Sequence, residues 1–242
     1  MEWRDKGILL ATRPFGETSL IIDAFTPDHG KSSGVVRGWQ SKKLKPILQI
    51  GAQIDLTWKA RLEEHLGSFQ VELIRSRTAN VMNDRLLLAG MLSSATLINR
   101  FFPTGQVYKE FYKSSENLFD LLQFPDIWTL GYFKWELEFL ETLGFGLDLE
   151  KCAVTGSTEN LKFISPKSGR AVSEAAAGDW SSKLLPFPIA ASGQVNSLED
   201  VLDGLKVSQF FLEKKVLIAF GMEHLPSARS RFISSLERKI KN

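Results

Sequence analysis

The sequence predicts an α+β multi-domain protein in which an N-terminal β-barrel precedes an α-helical domain with an irregular insertion. Three observations predict it. Residues 4–80 fall into short runs rich in β-branched and alternating apolar residues, separated by Gly, Pro and Asp turns. After Thr78 the apolar period lengthens to that of a helix. Between about 146 and 197 periodicity is lost and Gly, Ser, Pro and Ala dominate. The expected domains are therefore 1–80 and 81–242, with the insertion at about 146–197.

The strands follow in order. Residues 7–13 form the first, stopped by Pro14 and Gly16, and residues 19–26 the second, stopped by Pro27 and the Asp28-His29-Gly30 turn. Residues 31–39 are the third, with Val35 and Val36 suited to a pleated, half-buried surface. In residues 53–59, Ile54, Leu56 and Trp58 share a face; in 69–75, Phe69, Val71 and Leu73 do. Five short strands at near-regular spacing predict a small closed barrel, and at this size an oligonucleotide-binding (OB) barrel.

The helical half begins at residues 85–102, apolar on most sides and so expected to be buried. Residues 108–122 and 127–143 give the next two helices, the latter started by Pro125-Asp126 and ended by Gly144 and Gly146. That third helix carries Trp128, Tyr132, Phe133, Trp135 and Phe139. Most belong in a core, but more aromatics than one stripe can bury could leave a groove for a peptide. Residues 207–220 and 227–240 complete the helices.

The net charge of +2 is unevenly spread. Residues 1–80 hold 12 Lys+Arg against 9 Asp+Glu, and residues 206–242 hold 8 against 3, while 81–150 hold 5 against 10. Basic ends flank an acidic middle, a distribution that can form one electrostatic footprint. The densest part is 30–45, which holds Lys31, Arg37, Lys42, Lys43 and Lys45, no acid, and Trp39. Cations there would neutralise phosphates and release counterions, and the ring could stack on an unpaired base. The plainer reading is a lysine-rich hairpin that protects a sheet edge.

Catalytic machinery is hard to assemble. His29, His65 and His224 lie in or near turns with no second histidine at metal spacing. Gly30, Gly34 and Gly38 lack the spacing and Lys-Ser/Thr ending of a phosphate loop. Glu63-Glu64 and Glu136/Glu138 read as solvated faces. Cys152 is the one cysteine, without a nucleophile motif around it. The N-terminus lacks the apolar core of a signal peptide, and no run of about 18 apolar residues exists. A non-catalytic protein of the cytoplasm, without membrane span, metal or cofactor, is expected.

Three segments carry a family resemblance. They are Arg13-Pro-Phe-Gly-Glu-Thr-Ser-Leu-Ile-Ile-Asp-Ala-Phe-Thr26 followed by Gly30 and Arg37-Gly-Trp-Gln-Ser-Lys-Lys43; Trp135-Glu-Leu-Glu-Phe-Leu-Glu-Thr-Leu-Gly-Phe-Gly146 running into Leu149-Glu-Lys-Cys152; and His224-Leu-Pro-Ser-Ala-Arg-Ser-Arg-Phe232. In this order, and over nearly the whole chain, it resembles the RecO family of bacterial recombination mediators. The resemblance implies an OB barrel joined to a helical domain, and binding of single- and double-stranded DNA. It also implies annealing of complementary strands, and action in DNA repair with RecR, with the acidic, Phe-ended tail of single-stranded DNA-binding protein, and indirectly with RecA near the nucleoid.

Many relatives hold zinc with two Cys-x-x-Cys pairs in the insertion. Here one pair is reduced to Cys152-Ala-Val-Thr155 and the other is absent, so thiolate zinc is not expected and packing of Val154, Leu161, Phe163 and Ile164 must hold the insertion. The expected DNA contacts are Lys31, Arg37, Trp39, Lys42, Lys43 and Lys45 with Arg13 in support, and Trp39 is equally a candidate barrel residue. Arg229, Arg231, Arg238 and Lys239 either extend that surface or only complement a helix end. Phe133, Lys134 and Leu137 are the candidates for the protein tail, as an apolar pocket beside a cation. The alternative function is a protein–protein adaptor in which the barrel is structural.

Overall fold

The computed structural model describes residues 1–62, 65–193 and 197–241. The Glu63-Glu64 pair lies outside the described residues. The chain divides into two compact units, Met1–Pro125 with Pro226–Phe232, and Asp126–Leu225 with Ile233–Asn242.

Five strands build the barrel: β1 (Glu2–Phe15), β2 (Ser19–Thr26), β3 (Gly30–Arg37), β4 (Gln53–Lys59) and β5 (Ser68–Arg75). They close in the order β1-β2-β3-β5-β4. β1 is longer than its apolar run suggests because it serves two partners. Its first half, Glu2 to Ile8, pairs with β4, and its second half, Ile8 to Phe15, with β2. A register shift between Leu9 and Ala11 bends it from one to the other. β3 and β5 run parallel and meet at Val35 and Ser68, which closes the ring. This is the arrangement of an OB-like barrel.

Alternation sends Leu20, Ile22 and Val36 inward to meet Ile54, Leu56 and Trp58 of β4. Phe69 and Val71 complete that face, but Leu73, paired with Ile54 beside a register shift between Gln53 and Ile54, is 42% exposed. Two glycines are required by close approach. A Cβ at Gly34 would strike the Phe69 ring, and one at Gly30, where φ is +61°, would strike the backbone carbonyl of Gln106.

Helices α1 (Thr78–Val81), α2 (Arg85–Phe101) and α3 (Lys109–Asp120) follow and fold in the barrel's unit. Asp84 caps α2 by accepting hydrogen bonds from the amides of Leu86 and Leu87. Phe25, on the outer face of β2, packs against Phe102 and Tyr112. Arg77 is buried and links barrel to helix: it donates to the Gly51 carbonyl, to Gln53 and to Asp120. One end of the outer sheet face is thereby covered.

The second unit holds most of α4 (Pro125–Thr142), whose Trp128, Tyr132, Trp135 and Phe139 form a run of stacked and tilted rings at 5.5–5.7 Å. All four, and Phe133, are buried, so the helix has no spare aromatic to line an open groove. Glu136, expected on a solvated face, is buried too. It accepts hydrogen bonds from the hydroxyls of Ser208 at 2.5 Å and Tyr132 at 3.2 Å, the partners a carboxylate needs away from water.

The insertion is less irregular than expected. Strands β6 (Leu161–Ile164), β7 (Ala171–Ser173) and β8 (Leu185–Pro186) form a three-stranded sheet in the order β7-β6-β8, with the short helix α5 (Glu174–Ala177) after β7. Strands of two to four residues are too short for an alternation to be seen. Leu161 and Phe163 pack on a core of Cys152, Val172 and Ala177, and Ile164 is buried; Val154 is 70% exposed and contributes nothing to that core. The Cys152 sulfur accepts hydrogen bonds from the amide and hydroxyl of Ser173. Burial pushes its thiol up, but the bonds donated by Ser173 and Thr155 outweigh this and bring it down to about 6.

Helix α6 (Leu198–Phe211) starts from a Ser197/Asp200 capping box, and a π-helical stretch, Leu212–Val216, joins it to α7 (Leu217–Ala219). Helix α8 (Ser227–Lys241) ends the described chain.

Candidate nucleic-acid interface

Strand register fixes the outer face of β1, β2 and β3. Residues directly opposite one another point the same way. Three rows result: Ala11, Asp23 and Ser33; then Arg13, Ile21 and Val35; then Phe15, Ser19 and Arg37. The rows run from the helix-covered end toward the open β1–β2 turn.

In the first row Asp23 gathers its neighbours. Its carboxylate accepts from Ser33 Oγ at 2.6 Å, Arg13 Nη1 at 3.1 Å and Asn99 Nδ2 at 3.3 Å. Arg13 is exposed but ion-paired. Lys31 is tied more firmly. Its Nζ donates to the Asn99 carbonyl at 2.7 Å, and burial pushes the ammonium below the usual lysine value while the charge of Asp23 opposes that shift. This lysine anchors β3 to the end of α2, so unlike the loop cations its ammonium is already engaged within the chain.

Arg37, Lys42, Lys43 and Lys45 are different. All four are exposed, and among the described residues none forms an ion pair. They lie at the end of β3 and in the turns after it. Those turns are built, not loose: Ser41 and Leu44 carbonyls accept from the amides of Lys45 and Leu48, and Ile47 and Leu48 are buried in the barrel core. Trp39 is half-buried and packs with Leu44 against the same core. Of its two expected roles the structure favours the barrel residue, because a ring held to the core is not a free stacking surface.

The seam between β3 and β5 opens beside this loop as a groove of about 580 Å³. Arg37, Ser41 and Lys43 line it together with Val35, Leu44 and Phe69, and among the described residues Glu72 is the one acid in its lining. A larger cavity of about 740 Å³ has Trp3 stacked on His29 at 4.0 Å and on Trp58 at 5.7 Å. Glu2 and Asp28 line it and among the described residues no Lys or Arg does, so its chemistry does not suit phosphate.

The whole chain has close counterparts. The family described as Recombination protein O N terminal matches residues 1–77, and that described as Recombination protein O C terminal matches 82–221. The chain belongs to the RecO family. A DNA repair protein RecO of Ruegeria sp. (strain TM1040) is 48% identical over 242 residues, covering 99% of this chain and 100% of the relative. Those of Roseobacter denitrificans, 46% identical over 241 residues, and Dinoroseobacter shibae, 48% over 238, cover 98–99% of this chain and 99–100% of their own lengths. The RecO N-terminal match covers the barrel, and the C-terminal match begins just before α2.

The remaining expected residues of this RecO-family chain are dispersed. Arg229 is 1% exposed near the start of α8 and presents no guanidinium to a ligand, which corrects its expected place on a DNA surface. Arg231 is exposed and donates to Ser227 Oγ at 3.0 Å. Both lie in the first turns of α8, so neither complements a helix C-terminus, as Arg238 and Lys239 in its last turn can. Phe133 is fully buried where the absent side chain of Gly204 leaves room for its ring; it is a core residue, not the wall of an open pocket. Lys134 is exposed and Leu137 half-buried on the same helix. Among the described residues no group of three His, Cys, Asp or Glu is placed to hold a metal ion, and no helix is long and apolar enough to cross a membrane.

Proposed function

We propose that this chain acts as a recombination mediator in DNA repair. It binds single- and double-stranded DNA through the barrel's basic loop, anneals complementary strands and helps RecA replace single-stranded DNA-binding protein. One observation carries the DNA-binding part: four exposed cations, Arg37 at the end of β3 and Lys42, Lys43 and Lys45 on the loop after it, which is pinned to the barrel core, stand without ion-pair partners among the described residues. Charges already neutralised by carboxylates release no counterions on meeting DNA; these four can. Positive charge on one rigid loop lowers the repulsion between two phosphate backbones, which is what annealing needs. The names of the relatives and the match to both RecO halves support the repair setting. Work in the cytoplasm at the nucleoid, with RecR and the tail of single-stranded DNA-binding protein as partners, belongs to the same reading. Exposed Lys134 beside Leu137 is the part of the tail-binding assignment that has surface to offer.

Annealing tests it. With two complementary fluorescent strands, the wild-type chain should speed pairing, and Lys42/Lys43/Lys45→Ala should lose most of that acceleration. An unaccelerated reaction and no binding to either strand at low salt would support the adaptor reading instead.

A further inference from the structure

We infer that Phe15, at the tip of the β1–β2 hairpin, is a stacking platform for an unpaired base of single-stranded DNA. The inference deepens the proposed function and rests on it. Exposed apolar side chains are ordinary taken singly; the neighbours of Phe15 set it apart. It is 50% exposed and ends a cross-strand row with Ser19 and Arg37. Adjacent strands lie about 4.8 Å apart, so Arg37 stands roughly 10 Å away on the same face. Arg13, Ile21 and Val35 form the next row.

A backbone bond then brings the basic loop to the hairpin. The Gly38 amide donates to the Thr18 carbonyl at 2.8 Å, so the turn after Phe15 and the start of the loop are clasped together. The exposed ring and the unpartnered cations therefore belong to one surface. Glu17 is the turn's only acid. At the other end of the same face Phe25 is covered by Phe102 and Tyr112, so burial by the chain's own helices is what Phe15 lacks.

The charge chooses the occupant. Arg37 and the loop lysines draw a phosphate backbone across the face, and an aromatic ring beside such a track offers a π-surface to any base that is not already stacked. Bases in a duplex are stacked on each other, so the platform favours single strands. Trp39, the aromatic the sequence offers for this role, is held to the core; Phe15 presents its ring instead.

The test compares an oligothymidylate with an abasic tetrahydrofuran strand of equal length, by anisotropy over a salt series. Wild type should bind the base-bearing strand about tenfold more tightly than the abasic strand at equal salt. Phe15→Leu should remove that preference and keep the salt slope, and Phe15→Trp should retain the preference. Equal wild-type affinity for both strands, or a preference that survives Phe15→Leu, would overturn the platform while a lysine-dependent salt slope kept the basic loop as the interface. Failure of wild type to bind either strand would end both readings. The wild-type comparison needs no variant to fold, and circular dichroism of Phe15→Leu separates lost folding from lost stacking.

Discussion

Cations that look alike in the sequence divide by what holds them. Lys31 donates to the carbonyl of Asn99, Arg13 pairs with Asp23 and Arg229 is buried, whereas Arg37 and the three loop lysines are unpaired among the described residues. Composition announces a basic segment but not which charges are spent internally, because Asp23 and Asn99 are 8 and 68 residues from Lys31 in the chain. Gly30 shows a related constraint. Gly30→Ala must relieve both a left-handed backbone and a clash with the Gln106 carbonyl, and should cost about 2–4 kcal/mol in denaturant unfolding. Cys152 gives a pH-dependent expectation. Its folded-state value, about 6, lies below the ordinary thiol value of 9.0, so its contribution is present at high pH and lost as pH falls through 6. The stability gap between wild type and Cys152→Ala should therefore widen from pH 6 toward pH 9 and stay flat below pH 6, as read from denaturant midpoints.

Among the elements, strands and helices long enough to show a period were legible, and short ones were not. Ile54, Leu56 and Trp58 alternate over seven residues and face the core as expected. β6, β7 and β8 have two to four residues each, too few for a period to declare itself, and the insertion reads as irregular. The third strand ends at Arg37 instead of 39 because the chain turns at Gly38, and this places Trp39 against the core. On α4 the aromatics exceed one stripe, yet all five are buried because the helix is covered on more than one side. Phe133 belongs to that packing. Phe133→Ala should destabilise the second unit by about 3–5 kcal/mol, seen as an earlier unfolding transition. Lys134→Ala, at an exposed position, should change stability by less than about 0.5 kcal/mol, so the two variants separate packing from any loss of peptide binding.

For the molecule as a whole, family and barrel were readable because they rest on ordered motifs and on long strands, and both RecO halves match the chain. The candidate interface was readable only in part. Arg37 and the loop lysines stand out as charge, but the face that Phe15 occupies depends on a register shift in β1, and the loop's place beside it on a bond between Thr18 and Gly38, neither of which a single sequence displays. The most direct measurement is the affinity of a fluorescent single strand as a function of salt, for wild type and for Lys42/Lys43/Lys45→Ala. A basic loop that neutralises phosphates predicts a logarithmic slope shallower in the variant by about two, at roughly 0.7 for each single-strand phosphate left without its lysine. An unchanged slope and affinity would contradict the account and move DNA away from this face of the barrel.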